Sequence, residues 1–239
     1  MSEAINKAVL VSTQVAIMDQ LPETGIPARS PLSQHVKTAS RTSPENPGVY
    51  LWESALKTHL ALRGDANNAD FAKGVEAATG LVLPEAMRSN HNSDWALSWI
   101  APDEWLLTGP GDQALAMETA LREQLDGHYA VINVGGGQTL VRLAGARARS
   151  VLMKSCPYDV HDHNFPVGKV VTTVLAKSQA TIRRVGDDDW ELVVRRSFAD
   201  YIWRWLVDAS QEYRLSLNPP PKSASTNRSS RTEASPVEN

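Results

Sequence analysis

The segment from Val193 to Ala209 (VVRRSFADYIWRWLVDA) constrains the fold most, because it passes from a strand into a helix with more apolar surface than one core usually needs. Ser197 stands at the predicted N-cap and Asp200 at the reciprocal position of a capping box, so the helix should begin near Phe198. Apolar residues then recur at helical spacing in two adjacent rows. The first row is Phe198, Ile202, Trp205, Leu206, Ala209 and Tyr213, and the second is Ala199, Trp203 and Val207.

Two interpretations of this helix stay open. In the first, the helix is buried on most sides within its own domain, with the first row facing the core. In the second, Trp203 or Tyr201 anchors a partner protein, since Trp and Tyr are enriched among residues that dominate interface energies. Arg195 and Arg196 precede the helix, where positive charge opposes the helix dipole. Either Asp200 or an acidic group on a partner compensates them, so the predicted interface comprises Arg195, Arg196, Tyr201 and Trp203.

Periods of 2 and 3.6 residues predict the secondary structure between the chain ends. Strands are expected at 58–63, 95–100, 105–108, 129–134, 138–143, 170–176, 180–185 and 190–195, and helices at 69–79, 113–125, 146–154 and from 198 onwards. Runs of adjacent strands, rather than strict alternation with helices, indicate an α+β fold. Two βαββα-type units repeat at an offset of about 80 residues, which predicts a pseudo-twofold pair in one compact domain.

The two chain ends differ from the middle in composition. Residues 1–30 mix small, polar and scattered apolar residues without a clear period, and residues 216–239 are rich in Pro, Ser and Asn. Such segments bury too little apolar surface to offset the entropy of ordering them. We therefore predict a flexible N-terminal extension over 1–30, one folded domain over 31–215 and a disordered C-terminal tail over 216–239.

Charge and cysteine content narrow the class of protein. The formal net charge of -3 and the lack of a basic stripe argue against nucleic acid as a partner. Cys156 is the single cysteine, which excludes an intramolecular disulfide and favours a reducing, cytoplasmic location. The apolar run Ala8–Val11 is shorter than a signal-peptide core, and no stretch approaches a membrane span, so no membrane association is expected.

No residues form a recognisable catalytic, cofactor or metal site. Gly135–Gly137 precedes a predicted strand rather than a helix, so we expect a hairpin turn and not a phosphate-binding loop. The segment Asp159–His163 (DVHDH) lacks a third well-spaced metal ligand. Cys156 lies at a predicted helix C-terminus, where the helix dipole does not favour a thiolate. Ser197 lacks a Gly-x-Ser-x-Gly elbow, so capping explains it. We therefore predict no catalytic, cofactor-binding or metal-binding residue in this chain.

Four ordered motifs carry a resemblance to a known family. They are HLALRGD at 59–65, PDEWLLTG at 102–109, GQTLVRLAG at 137–145 leading into KSCPYDVH at 154–161, and RRSFADYIWRWL at 195–206. In this order they resemble the gamma subunit of heterotetrameric sarcosine oxidase, over nearly all of the part that should fold. The chain departs from the family pattern at Ser155, where Gly is favoured, and at Ala144, where Ser or a similar small residue is favoured.

The resemblance implies a fold and a function. The gamma subunit is similar in fold to folate-dependent aminomethyltransferase domains built from such repeats. Its implied role is that of a non-catalytic structural and assembly subunit, inactive alone, whose partners are the alpha, beta and delta subunits. Those partners are implied to hold FAD, FMN, NAD, zinc and tetrahydrofolate. The implied bacterial complex oxidises sarcosine with O₂ to glycine and H₂O₂ and passes the one-carbon unit to tetrahydrofolate.

Two alternatives to this function remain. One is a free-standing folate-binding aminomethyltransferase-like protein. The other is the same subunit in an oxidase or dehydrogenase of another secondary or tertiary amine.

Overall fold

The computed structural model describes residues 28–38 and 44–221. The helices in this part of the chain are α1 (Ser33–Thr38), α2 (Ala69–Thr79), α3 (Ala114–Gln124), α4 (Ala148–Ser155) and α5 (Ala199–Ser210). The strands are β1 (Val49–Ser54), β2 (Thr58–Arg63), β3 (Ser89–His91), β4 (Ala96–Ala101), β5 (Glu104–Gly109), β6 (Ala130–Asn133), β7 (Gln138–Ala144), β8 (Val170–Leu175), β9 (Ser178–Gly186), β10 (Asp189–Arg195) and β11 (Leu215–Ser216).

Six strands form sheet A in the order β11-β1-β7-β10-β9-β8. Its neighbours pair antiparallel, apart from β11, which runs parallel to β1. Side chains alternate between the two faces of each strand. One face of β7 and β10 carries four fully buried side chains, Val141, Leu143, Trp190 and Leu192. They share a core with residues of α4 and α5, which cover that face.

Five antiparallel strands form sheet B in the order β3-β4-β5-β2-β6. Leu60, Leu62 and Leu107 lie in a second core with residues of α2 and α3, which cover one face. α2 has clear end signals: the Asn68 side chain accepts from the first-turn N–H groups, and Gly80 ends the helix with a left-handed φ of 68°. Such caps are what the local sequence predicts.

The uncovered faces of the two sheets turn toward each other. Four side chains on these faces are buried, although they belong to neither helix-covered core. They are Ala61 and Leu106 of sheet B, and Leu140 and Val170 of sheet A. The Val170 N–H also donates to the Met87 carbonyl at 2.9 Å, which ties the start of β8 to the segment before β3. The layers are therefore helices, sheet B, sheet A and helices.

The predicted elements recur in the structure, with four additions. Each strand and helix predicted from periodicity is present with its bounds shifted by at most about two residues, and the mixed helix-and-strand architecture is confirmed. The elements α1, β1, β3 and β11 were not predicted. The turn at Gly135–Gly137 is present as a 3-10 turn, but the hairpin prediction is wrong, because β6 lies in sheet B and β7 in sheet A.

The predicted domain boundaries need one adjustment at each end. Most of the predicted extensions 1–30 and 216–239 lies outside the described residues. Ser30 is buried, and its Oγ donates to Glu53 Oε2 at 2.6 Å. Ser216 is buried in β11, opposite Tyr50 of β1. Because of these contacts, Ser30 and Ser216 belong to the folded part of the chain.

Candidate interface on the final helix

The start of α5 differs from the predicted capping box. A 3-10 turn over Arg196–Phe198 leads into the helix, and no side chain caps either element. The Ala199 N–H already donates to the Arg196 carbonyl in this turn, so Ser197 is not needed as a cap. Asp200 instead contacts His35 Nε2 at 2.5 Å and Arg204 Nε at 3.0 Å. The hydrogen bond to His35 is the largest cause of the lowered pKa of Asp200.

The two tryptophans of α5 exchange their predicted places. Trp203, predicted as an interface residue, is 3% exposed and lies in the core under α5, so that prediction is wrong. Its ring lies 5.9 Å from the His35 ring of α1. Trp205, predicted to face the core, is 37% exposed. The helix is rotated about its axis so that Trp203 points inward and Trp205 does not. Its buried face comprises Ala199, Ile202, Trp203, Leu206 and Ser210.

Three aromatic residues remain at the surface of this region, and we call them the aromatic stripe. Phe198 is 44% exposed, Tyr201 36% and Trp205 37%. Their spacing of three and four residues places them on one side of the helix. Trp205 is oriented by its Nε1–H, which donates to Ser155 Oγ of α4 at 3.1 Å. Exposed groups of large apolar side chains are typical of protein interaction sites.

Two cations stand at the start of the stripe. Arg196 is exposed and donates from Nη2 to the Arg29 carbonyl at 3.0 Å. Arg195 is exposed, and its side chain makes no hydrogen bond or ion pair with any residue in the described ranges. Local compensation by Asp200, one of the two open alternatives, is wrong, because that carboxylate contacts His35 and Arg204. Of the predicted interface residues, Arg195, Arg196 and Tyr201 are thus exposed in the structure.

The other residues singled out in the sequence have structural roles. Asp162 pairs with Arg184 at 2.6 Å and with Arg149, and the His163 N–H donates to His161 Nδ1 at 3.3 Å. Within the described residues, no group of three or more potential ligands is placed to hold a metal ion. Cys156 is 8% exposed at the end of α4, and burial raises the pKa of its thiol. Among the same residues, no helix has the length and apolar character needed to cross a membrane.

Comparison with known proteins identifies relatives of this chain. A model of the sarcosine oxidase, gamma subunit family matches residues 63–212. Sarcosine oxidase subunit gamma of Corynebacterium sp. (strain U-96) is 34% identical over 169 residues, which cover 69% of this chain and 80% of that protein. The same subunit of Corynebacterium sp. (strain P-1) is 31% identical over 188 residues, covering 77% of this chain and 91% of the relative.

The comparison with solved structures also finds a sarcosine oxidase. A chain of heterotetrameric sarcosine oxidase from Corynebacterium sp. U-96, in complex with pyrrole 2-carboxylate, is 30% identical with a TM-score of 0.71; the match covers 80% of this chain and 99% of that one. Aminomethyltransferase T of the glycine cleavage system of Bartonella henselae is 16% identical with a TM-score of 0.54, covering 78% and 50% of the two chains. The second likeness concerns the fold alone. From the family model and these relatives, the chain belongs to the sarcosine oxidase gamma subunit family.

Proposed function

We propose that this chain is a non-catalytic structural and assembly subunit of a bacterial heterotetrameric sarcosine oxidase. Its family membership supports the complex, because a relative is a chain of such an enzyme. The observation that carries the assembly role is the aromatic stripe of Phe198, Tyr201 and Trp205, which is exposed in this chain.

The energetics of the stripe favour a covered surface. Large aromatic side chains bury about 150–250 Å² each when enclosed. At about 40% exposure, the three residues leave about 240 Å² uncovered, which corresponds to about 6 kcal/mol of burial before the costs of association. Aromatic residues of this kind are enriched among interface hot spots.

The charges beside the stripe favour an acidic partner surface. Arg195 and Arg196 are exposed at its start, and the nearest acidic residue of the helix, Asp200, is engaged by His35 and Arg204. An acidic group on the partner would satisfy both guanidinium groups, since Arg pairs well with carboxylates at interfaces. We therefore propose that the interface comprises Arg195, Arg196, Tyr201, Phe198 and Trp205, without Trp203.

The remaining features of the complex are proposals of the same kind. The alpha, beta and delta subunits are the proposed partners, and FAD, FMN, NAD, zinc and tetrahydrofolate belong to them. The complex would oxidise sarcosine with O₂ to glycine and H₂O₂ in the cytoplasm and pass the one-carbon unit to tetrahydrofolate.

We also infer that the fold arose by internal duplication. The strand orders β3-β4-β5-β2-β6 and β8-β9-β10-β7-β1 support this, because corresponding strands occupy corresponding positions in sheets B and A. In each half, helices cover the outer face of the sheet.

Co-expression of the four subunits with and without this chain tests the assembly role. We expect the chain alone to be colourless and inactive toward sarcosine, and the other three subunits to assemble poorly without it. Flavin absorbance or sarcosine oxidation by the chain alone would contradict the proposal. So would an intact, fully active complex that lacks the chain.

Folate titration of the isolated chain separates this role from the alternative. The fold likeness to an aminomethyltransferase is what favours a free-standing folate-binding protein. Saturable, tight binding of tetrahydrofolate by the chain alone would support that alternative. For a structural subunit we expect two results: the isolated chain does not bind tetrahydrofolate, and the other subunits assemble poorly when this chain is left out.

A further inference from the structure

A row of charged side chains crosses the face of sheet A that is turned toward sheet B. The strand register places Arg183 of β9, Glu191 of β10 and Arg142 of β7 side by side. Glu191 is 8% exposed, and both of its carboxylate oxygens are occupied. Oε1 accepts from Arg142 Nη1 at 2.9 Å, while Oε2 accepts from Arg183 Nε at 2.9 Å and Nη2 at 2.6 Å. The second amino group of Arg142 donates to Asp189.

A cleft of about 250 Å³ lies against this row, between the two sheets. Arg183, Glu191 and Arg142 line it from sheet A, and Ala96 and Thr108 line it from sheet B. Lys57 and residues 91–95 also line the cleft, as do Ser54, Gly109, Leu140 and Val185. The volume is room for about eight water molecules. A ligand with a similar number of non-hydrogen atoms would therefore fit.

Two cationic side chains that line the cleft, Arg183 and Lys57, have hydrogen-bond donors without a partner in the described part of the chain. Arg183 is 8% exposed, yet its Nη1 has no partner among residues 28–38 and 44–221 and is not sealed off by protein. Arg183 lines the cleft, and Nη1 is the amino group of this side chain that Glu191 leaves free for a ligand. Lys57 Nζ also makes no hydrogen bond or ion pair within the described part of the chain. Both Glu191 oxygens already accept hydrogen bonds from arginines, so Arg183 Nη1 and Lys57 Nζ can donate to an acceptor on a ligand.

We propose that this cleft binds a small monocarboxylate, whose oxygens accept from Arg183 Nη1 and Lys57 Nζ. Charge-assisted hydrogen bonds from Arg and Lys to a carboxylate are about twice as strong as neutral ones. They gain further strength in the partly enclosed space between the sheets. Asp94 lines the cleft, and Asp189 compensates Arg142. These two acids disfavour a multivalent anion such as phosphate.

Titration of the full-length chain with acetate, in chloride-free buffer, tests this site. A molecule as small as acetate should bind with a dissociation constant in the millimolar range, measured by ligand-observed NMR. Lys57→Gln should weaken acetate binding about tenfold. Lys73→Gln is the matched control, because Lys73 is exposed on α2 and does not line the cleft. Inorganic phosphate, used as the competing probe, should bind at least about tenfold more weakly than acetate.

A second variant guards against a folding artefact. Arg183→Lys keeps a positive charge beside Glu191 but removes Nη1 and the two-nitrogen contact to that carboxylate. It should weaken acetate binding, and its near-UV circular dichroism checks that the fold is kept. The proposal is independent of the assembly role, which has its own readout in the co-expression experiment. It is overturned if the wild-type chain shows no saturable acetate binding, if Lys57→Gln binds like Lys73→Gln, or if phosphate binds more tightly than acetate.

Discussion

Truncation of the two tryptophans of α5 should separate stability from assembly. Trp203 is 3% exposed and packs in the core and against His35. Removing a buried aromatic side chain typically costs about 3 to 5 kcal/mol. Trp203→Ala should therefore lower the melting temperature of the isolated chain by about 6 to 20 °C, at about 2 to 4 °C per kcal/mol for a chain of this size.

Substitution of Trp205 should lower the stability of the chain less than substitution of Trp203. More of the Trp205 side chain is exposed, and the serine that it bonds has a second hydrogen-bond partner. The Ser155 Oγ that accepts from Trp205 also donates to the Val151 carbonyl at 2.6 Å, so loss of the indole leaves it bonded. Trp205→Phe should cost less than about 1 kcal/mol of stability, the net value of one hydrogen bond. Trp205→Ala should instead weaken assembly by about 2 kcal/mol, as expected of a hot spot.

Both readouts are needed, because an unfolded variant also assembles poorly. Urea unfolding of the isolated variants gives the stability, and pull-down with the other subunits gives the assembly. Leu115→Ala serves as a control, since Leu115 is 46% exposed on α3, away from the stripe. The reasoning fails if Trp205→Ala destabilises the chain as much as Trp203→Ala, or if it assembles as well as Leu115→Ala.

Three further predictions concern stability. Burial lowers the pKa of His59, so its neutral form stabilises the fold above about pH 6.5. This stability should be lost as pH falls toward the folded-state pKa, and the loss should shrink in His59→Gln when urea midpoints are compared from pH 5 to 8. Glu191→Gln leaves two arginines without their shared carboxylate and should cost about 3 to 5 kcal/mol in urea unfolding. A chain ending at Pro221 should melt like the full chain, whereas one ending at Arg214 lacks β11 and should melt lower; equal melting of the two would contradict this.

Local sequence determined the longer elements of this protein. Helix α2 combines an apolar period with a capping Asn68 and a terminal Gly80, and β2 has the three consecutive apolar residues 60–62, typical of a buried strand. Such signals act within one element, so they can be recognised in the sequence without knowing which elements pack against it. The ordered motifs likewise indicated the family, which the comparisons confirmed.

Short strands and side-chain partners were decided only by the tertiary structure. β11 has two residues, too few for a period, and exists because β1 offers it a partner. Both apolar rows of α5 satisfied helical spacing, and the packing of sheet A and α1 against the helix buried Trp203 rather than Trp205. Arg142 is distant in sequence from Arg183 and Glu191, and only the strand register makes the three neighbours. Periodicity defines which residues share a face, whereas long-range pairing defines what that face meets.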